Sequence, residues 1–273
     1  MRPYTPPANA PQLSQQLPPR IQSPSPLWWI GGLVLLALFF HGIYIAQLTP
    51  ERMLSGIGRL GGFLGQAIPP DLTRADNFFW AIVVTFEMAL VGTVLGTLLS
   101  LPVALMASDN TSPNKVVRTI TRNTVAAIRT IPDLVWALIF VVAIGLGPAA
   151  GILTITVDVL GFCGRFFSER IEELEPGPVE ALTATGSSQL GIIMGAVFPC
   201  AFPSFVATSL YAVEKSIRSA VVLGLVGAGG IGVELSTSMR LFRYDQALTI
   251  IVMIWLVVTA SEQVSTLIRR QVM

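Results

Sequence analysis

Of 273 residues, 52% are hydrophobic and only 12% charged, where an ordinary soluble domain carries roughly 25% charged residues; a single water-soluble core is a poor first reading. With 17 Lys and Arg against 16 Asp and Glu, the chain has no basic excess of the kind that neutralises a nucleic-acid backbone, so nucleic acid is set aside as a partner. The lone histidine, His41, and the two cysteines, Cys163 and Cys200, leave no cluster of metal-ligand spacing, and both thiols, in apolar surroundings, are expected to be buried.

Taken in chain order, residues 1–26 are rich in Pro, Gln and Ser and poor in large apolar groups, which reads as a disordered tail. A bilayer core of roughly 30 Å needs about 20 mainly apolar residues in one helix, because every backbone N–H and C=O must be paired within the segment. Residues 27–46 meet that length and open on Trp28 and Trp29 as an interfacial belt. No small-residue cleavage site ends this run, so it is expected to stay as an anchor, with an external loop to residue 76. Residues 77–268 form the core. Its spans cover 78–107, entered by Phe78, Phe79 and Trp80, then 131–146, 149–167, 197–213 and 247–268. Gly145, Gly147 and Pro148 leave room only for a tight turn, so the third and fourth spans make a helical hairpin. Residues 269–273 are a short tail. The fold class is all-α: a polytopic membrane helix bundle of about six transmembrane helices, with both ends on one side.

Lys and Arg near span ends favour the cytoplasm. Placing the termini there leaves Arg2, Arg20, Lys115, Arg118, Arg122, Arg129, Arg165, Arg170, Arg269 and Arg270 inside, against Arg52, Arg59, Arg74, Lys215, Arg218, Arg240 and Arg243 outside. The misfit is 215–244, where four outer cations flank the apolar, glycine-rich stretch 221–232; a short or re-entrant helix buried in protein is expected there.

Between the fourth and fifth spans, 168–189 is polar and acidic, with Glu169, Glu172, Glu173, Glu175 and Glu180. Within it come Glu180-Ala181-Leu182, three residues, Gly186, nine residues and Ala196-Val197-Phe198-Pro199. This pattern resembles the cytoplasmic EAA loop of binding-protein-dependent ABC importer permeases, with Leu182, Ala196 and Phe198 standing where that family has alanine, isoleucine and leucine. Read without the resemblance, the same residues fit a plain surface helix ended by Gly186. The runs Arg129-Thr130-Ile131-Pro132-Asp133 through Phe140, and Val222 through Gly232, are similar to the phosphonate-permease branch of that family, and the likeness covers residues 75–268. It implies a type I importer permease in a prokaryotic cytoplasmic membrane, carrying phosphonate, phosphate or a related oxyanion. It also implies the partners: a second permease copy or paralogue, two ATPase subunits and an external solute-binding protein. The loop at about 169–196 would lay Glu180, Ala181, Leu182, Gly186 and Pro199 against the ATPases. No phosphate-cradling G-x-x-x-x-G-K-[ST] occurs, so the chain holds no cofactor and no catalytic site of its own; ATP and Mg belong to the partner subunits.

Ionisable groups inside spans are costly and face the bundle interior or a wet cavity. Glu87 and Asp158 are such groups; acids repel an anion, so pairing with a cation such as Arg129 or Arg165 is favoured over substrate contact. Thr85, Thr154 and Thr156 read either as path-lining groups or as hydroxyls bonded to their own helix. Asp133 suits a helix start as well as a gate. Gly227, Gly229 and Gly232 spell G-x-G-x-x-G, which needs a preceding strand to hold a dinucleotide; with Gly230 they read better as a close-packing element or gate. Lys215, Arg218, Arg240 and Arg243 are candidates for drawing an anion to the outer mouth. An intramembrane protease is excluded by the single histidine and the absence of a Gly-x-Ser-x-Gly elbow. The remaining rivals are an ion-gradient-driven secondary transporter and a structural membrane subunit.

Overall fold

The structure, a computed structural model, describes residues 25–272; residues 1–24 of the expected tail lie outside them. Among the described residues every regular element is helical. Contacts divide the chain into residues 1–61 and 62–273.

In the first unit, α1 (Pro26–Ile45) is the expected apolar anchor, begun by a proline in its first turn, where a missing N–H costs nothing. The expected external loop contains a second helix, α2 (Pro50–Ala67), which runs on past the unit boundary. Its Met53, Ile57, Leu60 and Leu64 recur at helical spacing. The five glycines between Gly56 and Gly65 hid it, since each lowers helix propensity by about 1 kcal/mol relative to alanine.

The second unit is built on α3 (Ala75–Ala107) and α6 (Pro148–Glu172), its most extensive helix pair. They run parallel in a constant register: Met88 meets Gly151, Gly92 meets Ile155 and Gly96 meets Val159. A Cβ on Gly92 or Gly96 would lie 2.7 Å from the Cβ of Ile155 or Val159. The Gly92-x-x-x-Gly96 stripe is therefore what lets the backbones approach, as small residues do between membrane helices, where van der Waals packing replaces the hydrophobic drive.

α5 (Asp133–Ile144) covers the third expected span, and α4 (Lys115–Thr130) is a helix in the stretch before it that was expected to be a loop. They bend by 89° at Ile131-Pro132, where proline has no N–H to continue the ladder and disfavours helical geometry at the residue before it. Alone, the 12 residues of α5 cover roughly 18 Å, too little for a bilayer. Among the described residues five helices are long and apolar enough to span a bilayer, or six if the bent pair counts as one span. The hairpin turn is as expected: Gly145 and Gly147 take φ +96° and +132° between α5 and α6.

The acidic stretch begins as the last turn of α6, continues into α7 (Pro176–Ala184) and reaches α8 (Gln189–Ile192). From Gln189 the chain is helical through a π turn at Ile193–Val197 into α9 (Phe198–Gly224), so the fifth span starts eight residues before the expected Val197 and runs past Val213. Pro199 and Pro203 explain the wide turn: each lacks a donor and crowds the carbonyl four residues back, which a π turn relieves.

α10 (Ile231–Arg240) is a short helix within the 215–244 stretch, although Lys215 to Gly224 belong to α9 and only Ile231 and Gly232 of the glycine-rich run are in it. α11 (Tyr244–Val272) closes the bundle. Ile231 and Ile250 pack with Phe78 and Ile82 in a second apolar cluster. At that end Asp71 ties the loop before α3 to α11. Gln246 Nε2 donates to its carboxylate at 2.9 Å and Thr249 Oγ1 to its carbonyl at 2.9 Å. With the Thr73 N–H and hydroxyl also donating, the Gln246 bond leads in holding the Asp71 carboxyl below its ordinary value of 3.8.

Candidate functional site

At the end opposite Asp71, α7 stands out from the bundle. Its nine residues are all at least partly exposed. Glu180 and Ala181 face outward, while Val179 packs toward the core and Leu182 reaches within contact range of Gly195 in the π turn. Gly186 ends the helix at φ +74°. The Ser187 N–H donates to Leu182 O at 3.2 Å and the Gly186 N–H to Thr183 O at 3.0 Å, the two bonds of a Schellman cap, which needs a left-handed residue at this position. Ser188 then caps α8 by accepting from the Gly191 N–H. Pro199 lies exposed in the first turn of α9. Glu180 to Gly186 thus share one outward-facing helix-turn, with Pro199 at the start of the next long helix.

The glycine run is a packed turn joining α9 to α10. A Cβ on Gly224 would lie 2.6 Å from Gly232 Cα, and one on Gly229 2.9 Å from Pro148 N. Gly147 N–H donates to Gly227 O at 3.0 Å, and the Ile231 N–H to Thr85 Oγ1 at 2.8 Å, beside Gly230. A helix, not a strand, precedes these glycines, which excludes the dinucleotide reading. They fasten the tip of the α5–α6 hairpin and α3 to the α9–α10 turn. Thr85, Thr154 and Thr156 all donate to carbonyls of their own helices, the local role open to them.

The intramembrane charges are arranged differently from the expectation. Asp158 pairs with Lys215, not with Arg129 or Arg165: Lys215 Nζ is 2.8 and 3.0 Å from its two carboxylate oxygens. Lys215 and Arg218 do not lie on an outer loop; both are in the body of α9, because the helix continues eleven residues beyond Val213 to Gly224. Arg218 binds Glu214 and Glu262, and Arg269 binds Glu214 from α11. That network went unread in the sequence, although the Glu214–Arg218 spacing of one helical turn was its local signal. Arg165 instead pairs with Glu169 along α6.

Glu87 is exposed on α3 and has no ion pair among the described residues. Arg129, in the last turn of α4, lays its side chain against Gly161, and Asp133 opens α5 with its carboxylate accepting from the Leu134 N–H. Arg240 and Arg243 are exposed; Arg240 lines a cleft of about 440 Å³ with Leu146, Gly227 and Ser236. Cys163 is buried but Cys200 is exposed, contrary to expectation, since the lower part of α9 turns that residue out of the bundle. Among the described residues no three metal-ligating side chains come together.

Residues 92–273 match the family described as "Binding-protein-dependent transport system inner membrane component". The chain is 37% identical over 238 residues to a putative phosphite transport system permease protein of Stutzerimonas stutzeri, covering 87% of this chain and 84% of that protein. It is 33% identical to a phosphite transport system permease protein of the same organism, over 89% of this chain and 90% of the other. A phosphate-import permease protein of Mycolicibacterium smegmatis is 34% identical over 82% of this chain and 42% of its own length. Among solved structures, the fold is shared with a chain of the inward-facing MetNI methionine ABC transporter, at a TM-score of 0.63 and 23% identity over 72% of this chain and 98% of that one. A bacterial ABC transporter for import of the polysaccharide alginate gives a TM-score of 0.63 at 14% identity, over 90% of this chain and 99% of the other.

Proposed function

Because this chain belongs to the family of binding-protein-dependent transport system inner membrane components, we propose that it is the permease subunit of an ABC importer for phosphite, phosphonate, phosphate or a related oxyanion. The observation that carries the substrate class is the 33–37% identity, over most of both chains, to phosphite permeases. As an integral membrane protein with no phosphate-binding loop of its own, it takes its energy from partner ATPases, which hold ATP and Mg.

In this reading the α7 end faces the cytoplasm, as do both termini, and two ATPase subunits receive α7 in a groove. Glu180 offers a carboxylate to a cation there, and the capped, rigid turn at Gly186 passes ATPase motion into α6 and α9. A second copy or a paralogue completes the path. An external solute-binding protein delivers the anion to the opposite end, where Arg240 and Arg243 raise its local concentration. Lys215 and Arg218 are not part of that outer attraction, since both lie within the body of α9 and not at its outer end.

Reconstituted with the ATPases and binding protein encoded beside it, the chain is expected to show ATP hydrolysis stimulated by binding protein loaded with phosphite, phosphonate or phosphate. Glu180→Lys and Gly186→Asp should each abolish that stimulation. Indifference to both changes, or uptake that runs on an ion gradient without an ATPase, would move the assignment to a secondary transporter.

A further inference from the structure

The two flanks of α9 differ in chemistry. On one, Val206, Leu210 and Val213 line an apolar groove of about 290 Å³ with Val94, Leu98 and Leu101 of α3, a surface suited to lipid tails. On the other, Ser204, Thr208, Tyr211, Lys215 and Arg218 follow one another at spacings of four and three residues, so they share one helix face, and none of them is fully buried. A continuous polar face within a membrane span requires water or protein against it, because hydrocarbon cannot solvate it.

Lys215 is on that face and deep in the span. Asp158 is roughly 15 Å along α6 from Pro148, and Lys215 roughly 14 Å along α9 from Gly224, at about 1.5 Å per residue. The next residue, Ser216, accepts a hydrogen bond from Thr93 in the middle of α3 at 2.9 Å. The pair is not sealed: 34% of the Lys215 side chain and 24% of that of Asp158 remain accessible. The ammonium has three N–H groups, of which Asp158 takes two. Its nitrogen also lies 5.2 Å from the centre of the Phe162 ring, beside Tyr211.

We propose that this flank of α9 lines the route of the transported oxyanion and that Lys215 binds the anion at mid-depth, with Asp158 holding the ammonium while the route is empty. The inference rests on the importer reading for its substrate class. A lysine is a compact point charge that meets a tetrahedral anion without the two-pronged grip of arginine. A carboxylate competing for the same ammonium keeps the anion from being trapped, as passage requires a site strong enough to enter and weak enough to leave.

The test uses the complex reconstituted with its ATPases and binding protein, in a background where Cys163 and Cys200 are replaced by Ala and Ser. Thr208→Cys should react with a membrane-impermeant, water-soluble methanethiosulfonate, and phosphite presented on the binding protein should slow the reaction; Leu210→Cys, on the apolar flank, should not react. Lys215→Gln should lower phosphite uptake about 10- to 100-fold, the loss of one charge-assisted hydrogen bond, with Thr208→Cys still labelled in that variant. Lys215→Arg should retain uptake at a lower turnover. Equal labelling at positions 208 and 210 overturns the assignment of the flank, whether or not the complex transports phosphite. Uptake restored in the double variant Asp158→Asn/Lys215→Gln shows a pair that only joins helices and overturns the role of Lys215. A wild-type complex without anion-stimulated ATP hydrolysis refutes the importer reading instead, and leaves the labelling contrast to judge the flank.

Discussion

Replacing Gly186 isolates one backbone requirement on the α7 surface. A Cβ at this position meets nothing within 4 Å, so Gly186→Ala introduces no clash; what it changes is the cost of holding φ at +74°. For a residue with a Cβ, the left-handed region costs roughly 1–2 kcal/mol, while asparagine tolerates it better. That cost falls on the two Schellman bonds, Ser187 N–H to Leu182 O and Gly186 N–H to Thr183 O. A nine-residue helix has little cooperativity to resist it. An increase of 1–2 kcal/mol in the free energy of the capped state raises the frayed population about 5- to 30-fold. Hydrogen–deuterium exchange of the Thr183 to Ser187 amides, measured in the assembled complex, should accelerate by that factor in Gly186→Ala and by much less in Gly186→Asn. Binding-protein-stimulated ATP hydrolysis should fall in the same order. Exchange in Gly186→Ala equal to wild type, or an asparagine variant as fast as the alanine one, would refute the reasoning.

The remaining predictions concern packing and pH. Gly224→Ala drives a methyl to 2.6 Å from Gly232 Cα and 2.7 Å from Gly229 O, backbone atoms that no rotamer can move aside. Overpacking of this kind costs about 1–3 kcal/mol, or roughly 2–10 °C of Tm for a chain of this size. Gly195→Ala, which meets only the flexible tip of Leu182 at 3.0 Å, should leave the detergent-solubilised protein close to wild type; equal losses would contradict the packing argument. Asp71 has its folded-state pKa depressed below 3.8, led by the Gln246 hydrogen bond. Its contribution to stability is therefore present above the ordinary carboxyl value and lost as pH falls through the lowered folded one. Tm followed downward from pH 5 should drop more steeply below 3.8 in wild type than in Asp71→Asn, and parallel curves would remove the Asp71–α11 link from the account.

The long apolar runs were legible because a bilayer demands unbroken apolar length: the helices containing Trp28, Trp80, Ile155 and Trp255 lie where expected. The hairpin turn was equally plain, as Gly145, Gly147 and Pro148 admit little else. α7 was legible through Glu180 and Gly186, since a helix stop is a local signal. The mistakes share a cause. α2 was taken for a loop because its glycines outweighed its apolar stripe, and α4 went unread because its cations hid a helix that joins α5 at the Pro132 bend. The fifth span was drawn too short at both ends: it begins at Gln189, where a π turn absorbs the two prolines, and runs on to Gly224.

The sequence by itself determined the class, a helical membrane bundle with one exposed polar loop, because spanning length, glycine stops and proline breaks act within a few residues. Only the tertiary structure decided which charges meet. Asp158 was expected to pair with a cation such as Arg129 or Arg165, yet the parallel packing of α3 on α6 and the extension of α9 to Gly224 bring Lys215 to it across 57 positions. Such a pairing depends on the depth and rotation of two helices, fixed by the Gly92 and Gly96 contacts and by the far end of α9, and no local pattern in either helix records it.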